Sequence, residues 1–139
     1  MNFLNLINQL VMAIPFVATG KTNPNDSEIP MQYYPRAVHS GTIELDDLAD
    51  QISIKSTVSP ADCYAVIVSL VNEISLSLEE GKIVRLGHLG SFQVSIKGTA
   101  SNSSVEVKPQ NVKSSSIIYR PGSRLKKMLT NLTFYRKKE

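Results

Sequence analysis

Two segments leave few folds open to this chain of 139 residues: Gly81–Phe92 (GKIVRLGHLGSF) and Ile117–Leu129 (IIYRPGSRLKKML). The first leaves a helix at a glycine, continues as a strand, turns within Gly87–Gly90 and returns as a second strand. The second is a strand that stops at Arg120-Pro121-Gly122 and is followed at once by a basic helix. Two strands joined by a polar, lysine-bearing excursion and followed by a basic helix predict a surface that lies along a polyanion.

The residues before this pair of segments predict two helices. Apolar residues recurring with helical spacing indicate a short amphipathic helix over Glu44–Ser53. Those residues are Leu45, Leu48, Ala49 and Ile52. Ser59 and Pro60 supply a cap and a first-turn proline for a longer helix, whose apolar stripe extends to Leu78.

Strands are predicted on both sides of these helices. Phe92–Lys97 alternates apolar and polar residues, which predicts a strand with one solvent-facing side. Near the N-terminus, the short apolar runs Ile14–Val17 and Tyr33–Val38 flank a polar loop, and we expect both to be strands. Pro15 and Pro35 predict that these two strands lie at sheet edges, because proline lacks the backbone N–H of a ladder.

Charge is distributed unevenly along the chain. The formal net charge is +3, yet the residues from Lys97 onward contain ten Lys or Arg and two acids. The residues before Lys97 contain five Lys or Arg and ten acids, a net charge of −5. This asymmetry favours one basic surface over a uniformly basic protein.

The motifs in these segments resemble those of the HU/IHF family of histone-like bacterial DNA-binding proteins. The family's Val-x-Leu-x-(Gly-Phe)-Gly-x-Phe turn is matched by Val84–Phe92 (VRLGHLGSF). Its Phe-(Lys/Arg)-Pro-Gly-x-x-Leu-Lys ending is matched by Tyr119–Lys126 (YRPGSRLK). The resemblance covers roughly residues 43–132. With its N-terminal extension, the chain is similar to a divergent HU-like branch common in Bacteroidetes-type bacteria.

The resemblance implies an α/β (α+β) fold of the obligate-dimer type. It consists of two N-terminal helices, a three-stranded antiparallel saddle sheet with an arm, and a C-terminal helix. Residues 1–41 would be an N-terminal extension with edge strands and a loop, residues 42–135 the HU-like DNA-binding domain, and residues 136–139 a basic tail. A winged helix fits the order of elements less well, because its second helix would present Asp62 to phosphate.

The function that the resemblance implies is non-sequence-specific, or weakly specific, binding of double-stranded DNA. The protein would act as a homodimeric, nucleoid-associated architectural protein in the bacterial cytoplasm. The cationic side chains expected to neutralise phosphates are Arg120, Lys126, Arg124, Lys127, Lys97, Lys108, Lys113, Lys82 and Arg85. Of these, Arg120 and Lys126 match basic positions in the family's ending motif, which implies contact with the DNA backbone.

The arm departs from the family. HU and IHF arms carry Arg-Asn-Pro-x-Thr-Gly, whose proline wedges between base pairs. Between Ile96 and Ile117 the only proline is Pro109, which is a candidate intercalating residue or a simple loop proline. The missing motif and the acidic first 96 residues favour a second hypothesis, a protein-interaction module that kept the HU scaffold and lost DNA binding.

No catalytic or metal site is predicted. His39 and His88 have no second His or Cys at metal-ligand spacing, and no nucleophile–base pair is evident, so we expect no enzyme, cofactor or small-molecule substrate. The single Cys63 excludes an intramolecular disulfide and indicates a reducing compartment. No uninterrupted apolar run approaches the roughly 18 residues of a membrane span, so we expect no membrane association.

Overall fold

The computed structural model describes residues 12–22, 24 and 28–138. In chain order its helices and strands are β1 (Ala13–Lys21), β2 (Gln32–Ala37), α1 (Leu45–Ile54), α2 (Pro60–Glu79), β3 (Val84–Arg85), β4 (Gly90–Gly98), β5 (Val112–Pro121), α3 (Ser123–Thr130) and β6 (Thr133–Arg136). Within the described residues, three helices and two three-stranded sheets confirm the predicted mixed α/β class. The part of the predicted extension before Met12 lies outside the described residues.

The chain forms two units. One contains Glu44–Leu129, and therefore α1, α2 and the sheet of order β3–β4–β5. The other joins the N-terminal residues up to Ile43 with those from Thr130 onward, because β1 is the central strand of a sheet of order β2–β1–β6. We call this second sheet the extension sheet. The predicted domain boundary at residues 135 and 136 differs from this division, since Thr133–Arg136 forms β6 beside β1.

The longer helix, α2, begins and ends as predicted. The N–H of Asp62 donates to Ser59 Oγ at 3.1 Å, and Pro60 occupies the first turn. At the other end, Gly81 has a φ of +76°, and its N–H bonds to the Leu78 carbonyl at 3.0 Å. Both features are those of a left-handed glycine exit.

The apolar core of a single chain is small. In the unit Glu44–Leu129, the buried apolar side chains are Ala49 on α1 and Cys63 and Leu78 on α2. Elsewhere α2 leaves apolar side chains in solvent, with Val66 64% exposed and Val71 58% exposed. An exposed apolar surface of this kind indicates contact with another molecule.

By length and composition alone, Pro60–Glu79 is also long and apolar enough to cross a bilayer, with a mean hydropathy of 1.4. The prediction from uninterrupted apolar runs missed this, because polar residues interrupt the stripe. Ser69, Asn72 and Glu73 are spaced to share one face of the helix. α2 is therefore amphipathic, a pattern typical of helices that pack against protein on one side.

The sheet of the first unit is antiparallel throughout, as predicted. Phe92, on the central strand β4, pairs with Val84 on one side and with Tyr119 on the other. The β4–β5 ladder continues to Lys97 and then shifts register, so that Gly98 pairs with Val112. The long β4–β5 ribbon thus ends in an irregularity at the base of the predicted arm.

The two predicted strands of the extension are present, but the prediction that Pro15 confines its strand to an edge is wrong. β1 pairs antiparallel with β2 over residues 16–21 and parallel with β6 over residues 13–16. The Pro15 carbonyl accepts a hydrogen bond from the Val38 N–H at 2.8 Å. The Pro15 nitrogen, which has no hydrogen to donate, therefore points toward the β2 side at the end of the β1–β2 pairing. The ladder needs no further donor at this position. Pro35 does lie in an edge strand, β2.

The close approach of β5 to the β3–β4 turn predicts a stability difference between two glycines. Gly90 is buried with a φ of +131°, and a Cβ there would collide with the Arg120 carbonyl oxygen. We expect Gly90→Ala to lower the free energy of unfolding by about 2 kcal/mol or more, because a backbone clash adds to the strained conformation. Gly81→Ala is the matched control, since its added Cβ would meet open space. For that control, urea unfolding should show a loss of about 1 kcal/mol. Equal losses would contradict the importance of the close approach.

Candidate nucleic-acid interface

The β3–β4–β5 sheet has two chemically different faces. Residues paired across an antiparallel ladder share a face, and successive residues along a strand alternate. By this rule Arg85, Ser91 and Arg120 form one row across all three strands, and Lys97 lies on the same side, paired with Ser114. We call this side the polar face. Its residues are Arg85, Ser91, Gln93, Ser95, Lys97, Ser114, Ser116, Ile118 and Arg120.

The spacing of cations on the polar face follows from the register. Arg85 and Arg120 flank the central strand, so their Cα atoms are about 10 Å apart. Lys97 is six residues along β4 from Ser91, or roughly 20 Å. None of the nine residues on the polar face is acidic. Three cations are therefore distributed along a surface rich in serine hydroxyls, which can donate hydrogen bonds to phosphate oxygens.

The opposite side, which we call the apolar face, carries Val84, Phe92, Val94, Ile96, Ile117 and Tyr119, with Ser115 as a polar residue beside Ile96. The rings of Phe92 and Tyr119 pack with their centroids 5.0 Å apart. Further along the ribbon, Ile96 is 61% exposed and Ile117 is 63% exposed. Antiparallel sheets commonly keep one face wet and bury the other. In the single chain, however, the apolar face is largely uncovered.

Hydrogen bonds around Leu89 hold the end of β5 against the β3–β4 turn. The Tyr119 hydroxyl donates to the Leu89 carbonyl at 2.6 Å, and the Gly122 N–H donates to the same carbonyl at 3.2 Å. His88 Nδ1 lies 3.1 Å from Ser123 Oγ at the start of α3. These contacts fix the position of the Arg120-Pro121-Gly122 segment, and with it the start of the basic helix.

α3 begins directly after the polar face and carries three of the predicted cations. The Lys126 N–H bonds to the Gly122 carbonyl at 2.9 Å, which forms the first helical turn. Arg124, Lys126 and Lys127 are all exposed, whereas Leu125 between them is half-buried. The predicted basic helix is therefore confirmed, and its three charged side chains are exposed.

Three other predicted cations do not lie on the polar face. Lys82 forms an ion pair with Glu80 just after α2. Lys113 lies at the register shift between β4 and β5, next to the paired residues of the ladder. Lys108 precedes a short 3-10 turn in the excursion. The structure thus unites Arg85, Lys97 and Arg120 on one face, and sets these three lysines elsewhere.

The excursion between β4 and β5 is a folded loop. Asn111 is its centre: its side chain donates to Thr99 Oγ1 and to Ser101 Oγ, each at 3.2 Å, and accepts from the Lys108 N–H at 2.7 Å. Its carbonyl also accepts from the Thr99 N–H at 3.0 Å. These bonds close the base of the loop, so the excursion forms a compact tip on the β4–β5 ribbon.

Pro109 opens a 3-10 turn (Pro109–Asn111) within this tip and is exposed. Its predicted role as an intercalating residue stays a prediction. Two neighbouring apolar residues were not singled out from the sequence: Val105, 87% exposed, and Val107, 60% exposed. Their signal is the occurrence of bulky apolar residues in an otherwise polar loop.

Within residues 12–22, 24 and 28–138, no group of three or more His, Cys, Asp or Glu side chains could hold a metal ion. His88 is instead engaged with Ser123, and Cys63 is a buried free cysteine. The functional features of this unit are therefore its charged polar face, its exposed apolar surfaces and the folded loop.

Two helices followed by a three-stranded antiparallel sheet and a basic helix define an HU-like domain, and comparison with known proteins agrees. The family model of HU domains fused to a wHTH, Ig or glycine-rich motif matches residues 12–136. The chain belongs to this HU-domain family. No curated protein matches the sequence.

A solved structure shows the same fold. The chain is similar to the crystal structure of a protein from Bacteroides vulgatus ATCC 8482 that is provisionally described as a bacterial DNA-binding protein. The identity is 14% and the TM-score 0.62, and the match covers 88% of this chain and 47% of that one. The chain therefore spans about half the length of this structural relative.

The Tyr119 hydroxyl bond predicts a measurable contribution to stability. We expect Tyr119→Phe to reduce the free energy of unfolding by about 1 kcal/mol, because the Leu89 carbonyl loses one of its two donors. Tyr64→Phe is the control, because the Tyr64 hydroxyl makes no hydrogen bond to the described residues. The ring of Tyr64 is about as exposed as that of Tyr119. Urea unfolding at neutral pH measures both. No difference between the two variants would argue against this bond as a fixed contact.

Proposed function

We propose that this protein binds double-stranded DNA with little regard to sequence, as a homodimeric architectural protein of the bacterial nucleoid. The observation that carries the proposal is the row Arg85–Ser91–Arg120 on the polar face, continued by Lys97. Membership of the HU-domain family supports it, as does the fold shared with the Bacteroides protein described as DNA-binding.

The chemistry of the polar face favours phosphate contacts over base contacts. Arginine and lysine side chains neutralise phosphates and release condensed counterions, which supplies affinity without sequence information. Serine hydroxyls can add hydrogen bonds to phosphate oxygens. We assign the main contacts to Arg120, Arg85, Lys97 and Lys126, with Arg124 and Lys127 of α3 beside them. Lys82 would have to share its charge with Glu80, and Lys108 and Lys113 would contact DNA from the loop and its base.

Homodimer formation follows from the surfaces that a single chain leaves uncovered. The apolar face of the sheet and the exposed side of α2 together present Ile96, Ile117, Val66 and Val71 to water. Covering both with a second copy would bury them and leave both polar faces available to one duplex. A bilayer could cover α2, but it would also contact the polar residues Ser69, Asn72 and Glu73 on that helix.

The loop tip could deform DNA with residues other than those of the family's arm motif. Pro109 remains the candidate intercalating residue, and the exposed Val105 and Val107 add apolar surface close to it in sequence. Apolar wedges of this kind unstack base steps in the minor groove. Because the loop is short and closed by Asn111, we expect backbone contacts to contribute more affinity than wedging.

The cellular setting is part of the same proposal. A nucleoid role places the protein in the cytoplasm, where the unpaired thiol of Cys63 is stable. We also propose that the chain belongs to a Bacteroidetes-type branch, which the source of the structural relative supports. HU-domain proteins are not of an enzymatic kind, and we propose neither a reaction nor a cofactor for this chain.

A second candidate function is a protein-interaction module that has lost DNA binding. The specific observation in its favour is the acidic groove between α1 and α2, lined by Asp46, Asp50 and Tyr64. Such a groove would suit a basic partner better than a duplex. Random-sequence duplex at low salt separates the two functions, because a non-specific DNA binder should still associate at micromolar dimer.

The dimer proposal predicts the mass of the unsubstituted protein in solution, called the parent here, and a variant that should dissociate. Sedimentation equilibrium of the parent should give twice the 15.3 kDa of one chain. Val71→Asp places a charge among the exposed apolar side chains of α2, on the side away from Ser69, so it should shift the mass toward one chain or reduce folding at low concentration. Ser69→Asp is the matched control on the polar side of the same helix, and it should leave the mass unchanged. A monomeric parent at micromolar concentration would contradict the dimer.

The polar-face proposal predicts a change in salt dependence. Arg120→Ala and Lys126→Ala should each weaken binding of random duplexes and flatten the slope of log K against log[salt] by roughly one unit. Lys55→Ala, which removes the same charge just after α1, should leave the slope unchanged. Fluorescence anisotropy at several salt concentrations measures all three. Unchanged slopes in the first two variants would remove these residues from the interface.

A further inference from the structure

The extension sheet places three aromatic rings (Phe16, Tyr33 and Phe134) and the cation Arg136 on one face. Parallel and antiparallel partners in register share a face, so the pairs Ile14–Phe134 and Phe16–Arg136 lie on the same side of β1. The antiparallel pair Gly20–Tyr33 falls on that side as well, because residues 14, 16 and 20 differ by even numbers. We call this side the ring face.

The ring face is the more exposed side of the extension sheet. Phe134 is 60% exposed and Tyr33 is 68% exposed. On the other side Pro15 is buried, and the ring of Tyr34 already accepts the Lys21 ammonium 5.6 Å from its centroid. Phe134 and Tyr33 are therefore the most exposed rings of the extension sheet, since Phe16 is half-buried and Tyr34 and Tyr135 on the opposite side are 45% and 37% exposed.

Cations border the ring face along a groove. β6 ends at Arg136, and the Lys137 N–H bonds to the Phe16 carbonyl at 2.9 Å. Beyond this point no strand of the described residues pairs with this edge of β1. A groove of about 400 Å³ lies there, lined by Val17, Ala18, Arg136, Lys137 and Lys138. Three consecutive cations thus line the open edge next to the exposed rings.

The charge balance of this unit favours an anionic ligand. Its sequence contains five basic residues and three acids, Asp26, Glu28 and Glu139, which gives a formal net charge of +2. The five are Lys21, Arg36, Arg136, Lys137 and Lys138. A second copy of the chain would bring the same excess of positive charge, so self-association on this surface is disfavoured.

From these observations we propose that the extension sheet is a second nucleic-acid site, and that it binds single strands. Proteins that bind single strands without sequence preference combine a cationic groove that follows the backbone with aromatic rings that stack on bases. Bases of a duplex are stacked on one another and cannot use these rings. The ring face would take unpaired bases on Tyr33 and Phe134, and the groove would hold the backbone phosphates.

The separation of the rings sets the length of strand that the site accommodates. Their β1 partners, Ile14 and Gly20, are six residues apart, so the rings are displaced by roughly 20 Å along the strand and about 10 Å across it. A ligand that reaches both rings spans several nucleotides, which is within the range of about 4–16 nucleotides for a single-strand binding domain. We expect affinity to rise with length up to that range and then level off.

The test uses the full chain with Arg120→Ala and Lys126→Ala, which weakens the proposed duplex face. A fluorescein-labelled thymidine oligonucleotide of about 16 nucleotides is titrated by anisotropy at low salt. We expect it to bind this background, and Phe134→Leu and Tyr33→Leu each to weaken binding about five-fold or more, because an apolar side chain remains but the stacking ring is lost. Phe134→Tyr and Tyr33→Phe keep a ring and should retain binding.

Two further readouts separate stacking from charge and from folding. Arg136→Ala should lower the slope of log K against log[salt] by about 0.7, the value for one phosphate of a single strand. Thermal melts should show the two leucine variants folded like their aromatic controls. Failure of duplex binding in the parent would leave this proposal intact, because a different unit carries it.

Three outcomes would overturn the proposal. The first is leucine variants that bind the oligonucleotide as tightly as the parent. The second is complete loss of oligonucleotide binding in the Arg120→Ala, Lys126→Ala background, which would place the site on the other unit. The third is a mass increase with protein concentration, without nucleic acid, that the leucine variants abolish, since the ring face would then bind a second copy.

Discussion

The pairing register of β4 with β5 is the constraint on which the rest of the HU-like unit depends. It places Arg120 in line with Ser91 and Arg85, and in the same ladder it places Tyr119 against Phe92. A shift of one residue would exchange these faces and move the arginine to the apolar side. The contacts of Leu89 with Tyr119 and Gly122 fix this register at one end, and Gly90 allows the backbones to approach closely enough for them to form.

The two faces of the sheet have opposite requirements: the polar face should stay in water, and the apolar face should be covered. A single chain does not meet the second requirement. The polar face can remain in water, where its cations are available to phosphate. The apolar face and α2 leave Ile117 and Val66 more than half exposed, which costs free energy until something covers them. In the proposed homodimer, a second copy would cover both surfaces at once. It would also explain how a helix apolar enough to span a bilayer can belong to an HU-like fold.

The sequence predicted elements whose signals are local. Helical spacing from Leu45 to Ile52 located α1, and Ser59-Pro60 and Gly81 marked the ends of α2 closely. The side on which Arg85 lies could not be predicted, because a two-residue strand has no periodicity of its own. The parallel pairing of β1 with β6 was also missed. It joins segments over 100 residues apart in the chain, and long-range pairing leaves no pattern in either segment. That pairing is what makes Pro15 part of a central strand.

Thiol reactivity at two adjacent residues of β4 tests the assignment of the two faces most directly. Val94 and Ser95 lie on the apolar and polar faces respectively, and each can be replaced by cysteine in a Cys63→Ala background. The two-face account predicts that Ser95→Cys reacts readily with a small maleimide and slows when duplex DNA is added. It predicts that Val94→Cys reacts slowly with or without DNA, because a second copy covers it. The opposite result would contradict the account: duplex DNA would slow the reaction of Val94→Cys with the maleimide and leave the reaction rate of Ser95→Cys unchanged.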